Sequence, residues 1–522
     1  MDKLEKAAVK IMAVIGTAVM LFLVFYSWRY TKNLVRPEYY LDEKDSVLFN
    51  FLLCAVLLLL SGILTKAVQK IPARVTHLLA MIAAVAAAAF GIWLARAAGA
   101  VSDADQYCVQ RAAKALVDGD MEWVLQQDYF GIYRFQLGLA EIFSFFFRVM
   151  GNTEAIAVQQ IQAIFGGITL YVGFRIVREL SGQRLAELLY LLAEITFLPM
   201  YCYMLFVYGE SLGVCSAVCA IWCYLIVSRP GGKTWTKCMY WAAIGFLMTL
   251  AYVAKSVLLV VWIAMFIMQI LLALKNKSWK GIIALCGVLA VMLAGEELLC
   301  SMAERQIGRE YGSGAPYILW VAMGTQENDD PQRGPGTWNG YNADTYVQAG
   351  YDGREAARIA KDDLKKQYAE WSANPGQAIT FYKEKILIQW IEPTYGGFVM
   401  TGSLNGPKHW VNELYFGQAN ERALSFLNRY QAVLYLAILG YYLRILSGKV
   451  DGVKILPGII FLGGFFITIF WEAKSRYVYP YIVMILPCAA CSLEFYGTLA
   501  QNGLKKLRHR FVDSTNRKEQ GK

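Results

Sequence analysis

Charge is scarce in this sequence: only 17% of its 522 residues are Asp, Glu, Lys or Arg, against 57% that are hydrophobic and 14% aromatic. So little polar surface cannot coat ordinary soluble domains, and intrinsic disorder is excluded by the same balance. Histidine is scarcer still. The three present, His77, His409 and His509, stand far apart, which argues against a multi-histidine metal centre. The 11 cysteines show no recurring CxxC at zinc-finger spacing. Cys54, Cys202, Cys215, Cys219, Cys223, Cys286, Cys488 and Cys491 all fall within apolar runs, where cysteine acts as a small hydrophobe. No internal repeat of the kind that marks many transporters is visible, and no small-residue cleavage site interrupts the first apolar run.

What the chain does have is apolar runs long enough to cross a hydrocarbon core of roughly 30 Å. Spans are expected over 7–28, 48–65, 77–96, 157–177, 186–206, 210–228, 238–254, 256–273, 281–300, 425–445, 454–471 and 477–497, which makes roughly twelve helices of an all-α polytopic membrane protein. The formal net charge of +10 is spread over short basic clusters between these runs: Lys66, Lys70 and Arg74; Arg178 and Arg184; Arg229, Lys233 and Lys237; Lys275, Lys277 and Lys280; Arg444, Lys449 and Lys454; and a basic tail. A nucleic-acid partner is not needed to explain them. They fall on one side if both termini are cytoplasmic. The stretch 136–151 is apolar but short and carries Arg148, so it is expected to lie on the outer interface rather than cross.

This scheme gives an N-terminal two-helix hairpin over 1–76 and a membrane core over 77–300 with a first external loop at 97–156. An external loop or lid with amphipathic helices follows over 301–424, then C-terminal membrane helices over 425–498 and a cytoplasmic tail over 499–522. Asn374 and Pro375 mark a helix start inside the lid, with Asn as cap and Pro in the first turn. Ionisable residues near membrane depth are costly and point to function. Asp103, Asp105, Glu210, Lys255, Glu472, Lys474 and Arg476 all gather at the outward ends of the expected spans. Glu194, inside a span, is the exception. A midplane transport site would place such charges near span centres.

The run SDADQYCVQRAAKALVDGDMEWVLQQDYFGIYRFQLGLAEIFSFFF, from Ser102, resembles the first external loop of membrane-embedded glycosyltransferases of the GT-C fold. The likeness is nearest to the family 39 branch, with protein O-mannosyltransferases and aminoarabinose transferases as relatives. Asp105-Gln106, Gly119-Asp120, Tyr129-Phe130 and Arg134-Phe135-Gln136-Leu137-Gly138 occupy its motif positions. FVYGES around Glu210 is similar to an acidic position at the outer end of a later helix. WVAMG from Trp320, TWNGYN from Thr337, IQWIEPTY from Ile388 and WEAKSRYVYPY from Trp471 look like segments of Gram-positive bacterial members. Where relatives often carry Glu-Lys-Pro or His-Pro-Pro, this chain has Tyr133-Arg134-Phe135-Gln136, which removes one usual acid and leaves metal dependence open.

The resemblance implies transfer of a sugar from a polyprenyl-phosphate carrier to a protein, glycolipid or cell-wall polymer, at the extracytoplasmic face of a bacterial plasma membrane. Inverting transfer needs a base for the acceptor hydroxyl and stabilisation of the leaving phosphate. Asp105 or Asp103 would be the base, and Arg476, Arg134, Lys255 and Lys474 the phosphate-binding cations. Glu210, Gln136 and Tyr133 would face sugar or acceptor, with Glu210 orienting hydroxyls or helping to hold a divalent cation. A lipid-sugar transporter or flippase, and a non-catalytic partner that binds the carrier lipid, are the competing readings.

Overall fold

A bundle of helices joins two chemically distinct ends in the computed structural model, which describes residues 2–499 apart from Pro331, Asp451, Glu494 and Thr498. Almost all of the expected tail lies outside the described residues. Among the described residues, ten helices are long and apolar enough to cross a membrane, from Glu5–Ser27 to Tyr479–Gly497. The protein is therefore a polytopic, mostly helical membrane protein.

Two of the expected spans depart from simple crossings. The run 186–206 is broken into Arg184–Thr196 and Leu198–Leu205, bent by 48°, and counts as an eleventh span only if the pair is taken together. Pro199 sits in the first turn of the second piece, where its missing amide hydrogen costs nothing but cannot continue a preceding helix. The helix over 425–445 is present as Gln418–Leu446. It falls outside the apolar set because Glu421, Arg422, Asn428, Arg429 and Gln431 crowd its first half. Its 29 residues still span about 43 Å at 1.5 Å each, and it runs along Asp2–Ser27.

One end of the bundle is basic. There Lys275 pairs with Glu5 at 3.2 Å, Arg229 with Glu179, Gln69 with Gln183 at 3.0 Å, and the Lys454 amine with the Leu180 carbonyl at 3.1 Å. The opposite end carries the long connections. Gln136–Met150 lies among them; at about 22 Å it is short of a crossing, and its Leu137, Leu139, Ala140 and Phe143 are fully buried. The 301–424 segment folds into short helices, including Ile318–Met323, Gly353–Ala373, Pro375–Trp390, Gly397–Met400 and His409–Phe416. Asp352 caps Gly353–Ala373 through the amides of Arg354 and Glu355, at 2.8 and 3.3 Å. Asn374 makes no such bond, so Pro375 alone marks the following helix start.

The N-terminal pair of helices is not a self-contained hairpin. The first packs on Gln418–Leu446 and the second on Arg184–Thr196, and an antiparallel ribbon of Tyr30–Arg36 and Tyr39–Lys44 joins them. This ribbon lies against the 301–424 segment: the Lys32 amide donates to the Ile391 carbonyl at 3.2 Å, and the Gly334 amide to the Glu38 carbonyl at 3.1 Å.

Candidate functional site

Asp103 and Asp105 flank Ala104, whose φ of +42° is a left-handed conformation rarely adopted by a residue with a Cβ. That kink at the start of Ala104–Asp118 sends the two carboxylates apart. Asp103 is spent on local structure, accepting from Gln106 Nε2 at 2.8 Å and from the Ser403 hydroxyl. Asp105 turns toward the connection between Gly452–Phe470 and Tyr479–Gly497. Its Oδ2 lies 3.8 Å from Arg476 Nη2, its Oδ1 accepts from the Tyr129 hydroxyl at 3.2 Å, and its side chain keeps 41% exposure.

Arg476 is buried beneath it among Tyr477, Tyr208 and Phe206, with ring centroids 5.4, 5.5 and 5.8 Å from the guanidinium carbon. Its Nε is buried without a hydrogen-bond partner. A buried guanidinium with an idle donor beside a half-open carboxylate is an arrangement that a phosphate would complete.

The other cations are already matched. Lys255 and Glu210 form a wholly buried ion pair, and the Lys255 amine sits 5.1 Å from the Tyr477 ring centroid. Lys474 lies 2.9 Å from Glu472 and 3.5 Å from Glu38. Burial pushes the Lys474 amine toward neutrality, but the charges of Glu472 and Glu38 outweigh it and hold the amine protonated. Arg134 is not brought to this cluster: its guanidinium is clamped by Glu297 and Glu304, each at 2.8 Å, on Lys280–Ile307. Four of its five N–H donors are spent on these two carboxylates, which hold it away from the cluster. Glu210 is taken by Lys255, and among the described residues no three His, Cys, Asp or Glu side chains gather to hold a metal ion.

Gln136 and Tyr133 stand at the rim. Gln136 Nε2 donates to the Tyr208 hydroxyl, and the Tyr133 hydroxyl accepts from Asn342 of the 301–424 segment at 3.3 Å. Burial first, and the Asp105 charge second, push the Tyr133 phenol up to about 12, so it remains a neutral donor.

Among families of known sequence, the one described as "conserved hypothetical integral membrane protein" matches residues 5–330, more than half of the chain. The chain belongs to this family. The region shared with the conserved hypothetical integral membrane proteins contains Asp103, Asp105, Glu210 and Lys255, whereas Lys474 and Arg476 lie beyond it. No curated protein matches the chain. Among solved structures, ArnT from Cupriavidus metallidurans bound to undecaprenyl phosphate is similar at 14% identity and a TM-score of 0.34, over 79% of this chain and 77% of that one. Its apo state is similar at 14% identity and a TM-score of 0.33, over 77% and 76%. The Archaeoglobus fulgidus oligosaccharyltransferase tethered to an acceptor peptide gives 14% and 0.37, over 80% of this chain but 49% of that one.

The structure of this family member also adds residues that sequence reasoning missed. Gln106, Gln159 and Gln162 pin the turn that carries Tyr208. The Val207 amide donates to Gln106 Oε1 at 2.9 Å, and the Gln159 and Gln162 side chains donate to the Leu205 and Tyr208 carbonyls, both at 3.0 Å. Glutamine inside an apolar run was the available signal for Gln159 and Gln162, whereas Gln106 already stands in the Asp105-Gln106 motif. Glu38 and Lys385 are further additions. Lys385 is fully buried, its amine donates to the Gly324 carbonyl, and burial pushes it down to about 7 against the opposing charge of Glu472. An apolar cavity of about 380 Å³ is lined by Ala83, Phe90, Leu94, Leu198, Tyr201 and Phe398 among others, none of them a residue of the charged cluster. The short helix Gly397–Met400 carries Phe398 on the cavity wall and ends at Met400, whose carbonyl accepts from Gln106 at 3.3 Å.

Proposed function

We propose that this protein is a polyprenyl-phosphate-sugar-dependent glycosyltransferase of the GT-C type, acting at the extracytoplasmic face of a bacterial plasma membrane. The observation that carries the reading is the half-open Asp105 carboxylate 3.8 Å from the buried, under-bonded Arg476. The motif resemblance around Asp105, Glu210 and Arg476 supports it independently of that geometry.

In this mechanism the acceptor hydroxyl oxygen attacks the anomeric carbon from the face opposite the carrier phosphate. The new glycosidic bond forms as the bond from that carbon to phosphate oxygen breaks, inverting the centre. Asp105 takes the hydroxyl proton, and Arg476 receives the negative charge that builds on the departing phosphate. Lys255 and Lys474, each matched by a carboxylate, are fixed charges that shape the site. The apolar cavity beside Gly397–Met400 would seat part of the prenyl chain, and the 301–424 segment would cover the acceptor.

The test is transfer of radiolabelled sugar from a panel of polyprenyl-phosphate sugars by the purified protein, wild type against Asp105→Asn. Transfer that disappears in the variant while carrier-lipid binding persists is the expected result. Undiminished transfer by Asp105→Asn, or neither transfer nor donor hydrolysis by wild type with any donor, overturns the reading.

A further inference from the structure

The ribbon between the first two helices turns over two residues, Pro37 and Glu38, with Arg36 paired to Tyr39. Glu38 has a φ of +70°, a position where a turn normally takes glycine. A glutamate there carries backbone strain that glycine would avoid, so its side chain needs a reason to be present. The side chain is buried, and its carboxylate lies 3.5 Å from the Lys474 amine. Its backbone is fixed as well. The Glu38 carbonyl accepts from the Gly334 amide, the Tyr40 amide donates to the Gln332 carbonyl at 3.4 Å, and Lys32 holds the base of the ribbon to Glu384 at 2.7 Å.

On its other side Lys474 meets Glu472, which also accepts from the Tyr477 hydroxyl at 3.1 Å. Lys474 is two residues from Arg476, within the short connection that aims the guanidinium at Asp105. A lysine amine is a compact charge on a flexible stem and adopts one direction only when acceptors converge on it. Glu472 alone, on the same connection, cannot fix where that connection sits relative to the rest of the molecule. Glu38 comes from a separate part of the chain and does so. A small gap of about 10 Å³, bounded by Glu38, Tyr40, Lys474, Ser475 and Arg476 among others, marks where ribbon and connection meet.

We infer that Glu38 is a positioning residue: the N-terminal ribbon completes the site by holding Lys474, and with it the connection that carries Arg476, in register with Asp105. The role in transfer rests on the glycosyltransferase reading, whereas the grip on Lys474 does not, and the experiment separates the two. The full-length protein in detergent is treated with a trace of amine-acylating reagent, and the acylation rate at Lys474 is read by peptide mass spectrometry for wild type, Glu38→Gln, Glu38→Gly and Glu38→Asp.

Losing one of two carboxylates should raise the Lys474 rate in Glu38→Gln and Glu38→Gly by roughly tenfold, what a one-unit fall in the amine's pKa produces. Glu38→Asp, charged but one methylene short, should fall between, and it provides the reading if the neutral variants do not fold. Transfer, measured alongside, should drop in Glu38→Gln and Glu38→Gly and recover partly in Glu38→Asp. A Lys474 rate at the wild-type level in the variants overturns the inference, as does wild-type transfer by Glu38→Gly. Absence of transfer in wild type overturns the glycosyltransferase reading instead and leaves the acylation result to decide the grip.

Discussion

The separation of Asp103 from Asp105 is a matter of one backbone dihedral. With Ala104 at a φ of +42°, one acid bonds Gln106 and Ser403 while its neighbour meets Arg476. Asp103→Ala should therefore cost about 1 kcal/mol of stability through lost hydrogen bonds and leave turnover within a few-fold of wild type. Asp105→Asn should retain stability and lose roughly 10²- to 10⁴-fold in transfer rate, the usual worth of a general base. Thermal unfolding and initial rates on the same samples separate the two, and equal losses of rate would show that the kink does not sort the acids. Lys385 makes a different residue-scale prediction. Its amine sits near 7 in the fold, against about 10.4 in the unfolded chain, so between these values the unfolded state binds more protons. Its burial penalty is therefore fully present below pH 7 and fades as pH rises toward 10. Lys385→Met should stabilise the protein more at pH 6 than at pH 9, a slope that parallel melting curves will show; the opposite slope would mean the amine is charged in the fold.

At the scale of elements, the site depends on loops whose packing is carried by glycine. The Gly336 carbonyl accepts from the Ala473 amide at 2.7 Å, its φ is +69°, and a Cβ there would come within 2.7 Å of the Gly324 carbonyl oxygen and 3.2 Å of the Lys385 stem. Gly336→Ala combines strain with a backbone clash, each worth about 1–3 kcal/mol. It should disorder the 324–337 loop and cut transfer sharply while the membrane helices keep their circular dichroism; a variant with full transfer would show that the loop does not brace the 471–476 connection. Elements differ widely in how readable they are from sequence. Crossing helices announce themselves as long apolar runs, so Val47–Val68 and Lys280–Ile307 fall close to where hydropathy puts them. The ribbon at Tyr30–Lys44 does not, because polar and apolar side chains are mixed on both faces and its one sharp signal, Pro37-Glu38, lacks the glycine that usually marks such a turn. The break at Phe197 was missed because hydropathy cannot separate a straight span from two pieces bent by 48°. For the site, charge at helix ends picked out Asp105, Lys255, Lys474 and Arg476. Which cations are free and which are paired depends on contacts such as Arg134 with Glu297, more than 160 residues apart, and local pattern carries no trace of them.

Across the whole molecule, chain direction ties the site to the membrane's orientation. Asp105, Glu38, Arg476 and Lys255 meet at one end, while Lys275, Arg229, Gln69 and Lys454 meet their partners at the other. For Lys454 to stand at the basic end after the 301–424 segment has packed at the site end, Gln418–Leu446 must carry the chain between them, polar first half included. The bent pair must do the same between Arg184 and Glu210. Counted by direction rather than by apolarity, both would cross, which would put Glu5 and Gly497 on the basic side. Basic loops are retained in the cytoplasm, so the site end should face outward. Single cysteines at Lys233, in an exposed loop of the basic end, and at Lys365, exposed on Gly353–Ala373, test this directly. In intact cells a membrane-impermeant maleimide should label Lys365→Cys and spare Lys233→Cys, and permeabilised cells should show both. Labelling of Lys233→Cys alone would invert the protein, place Asp105 and Arg476 in the cytoplasm, and require a carrier lipid charged on the inner leaflet.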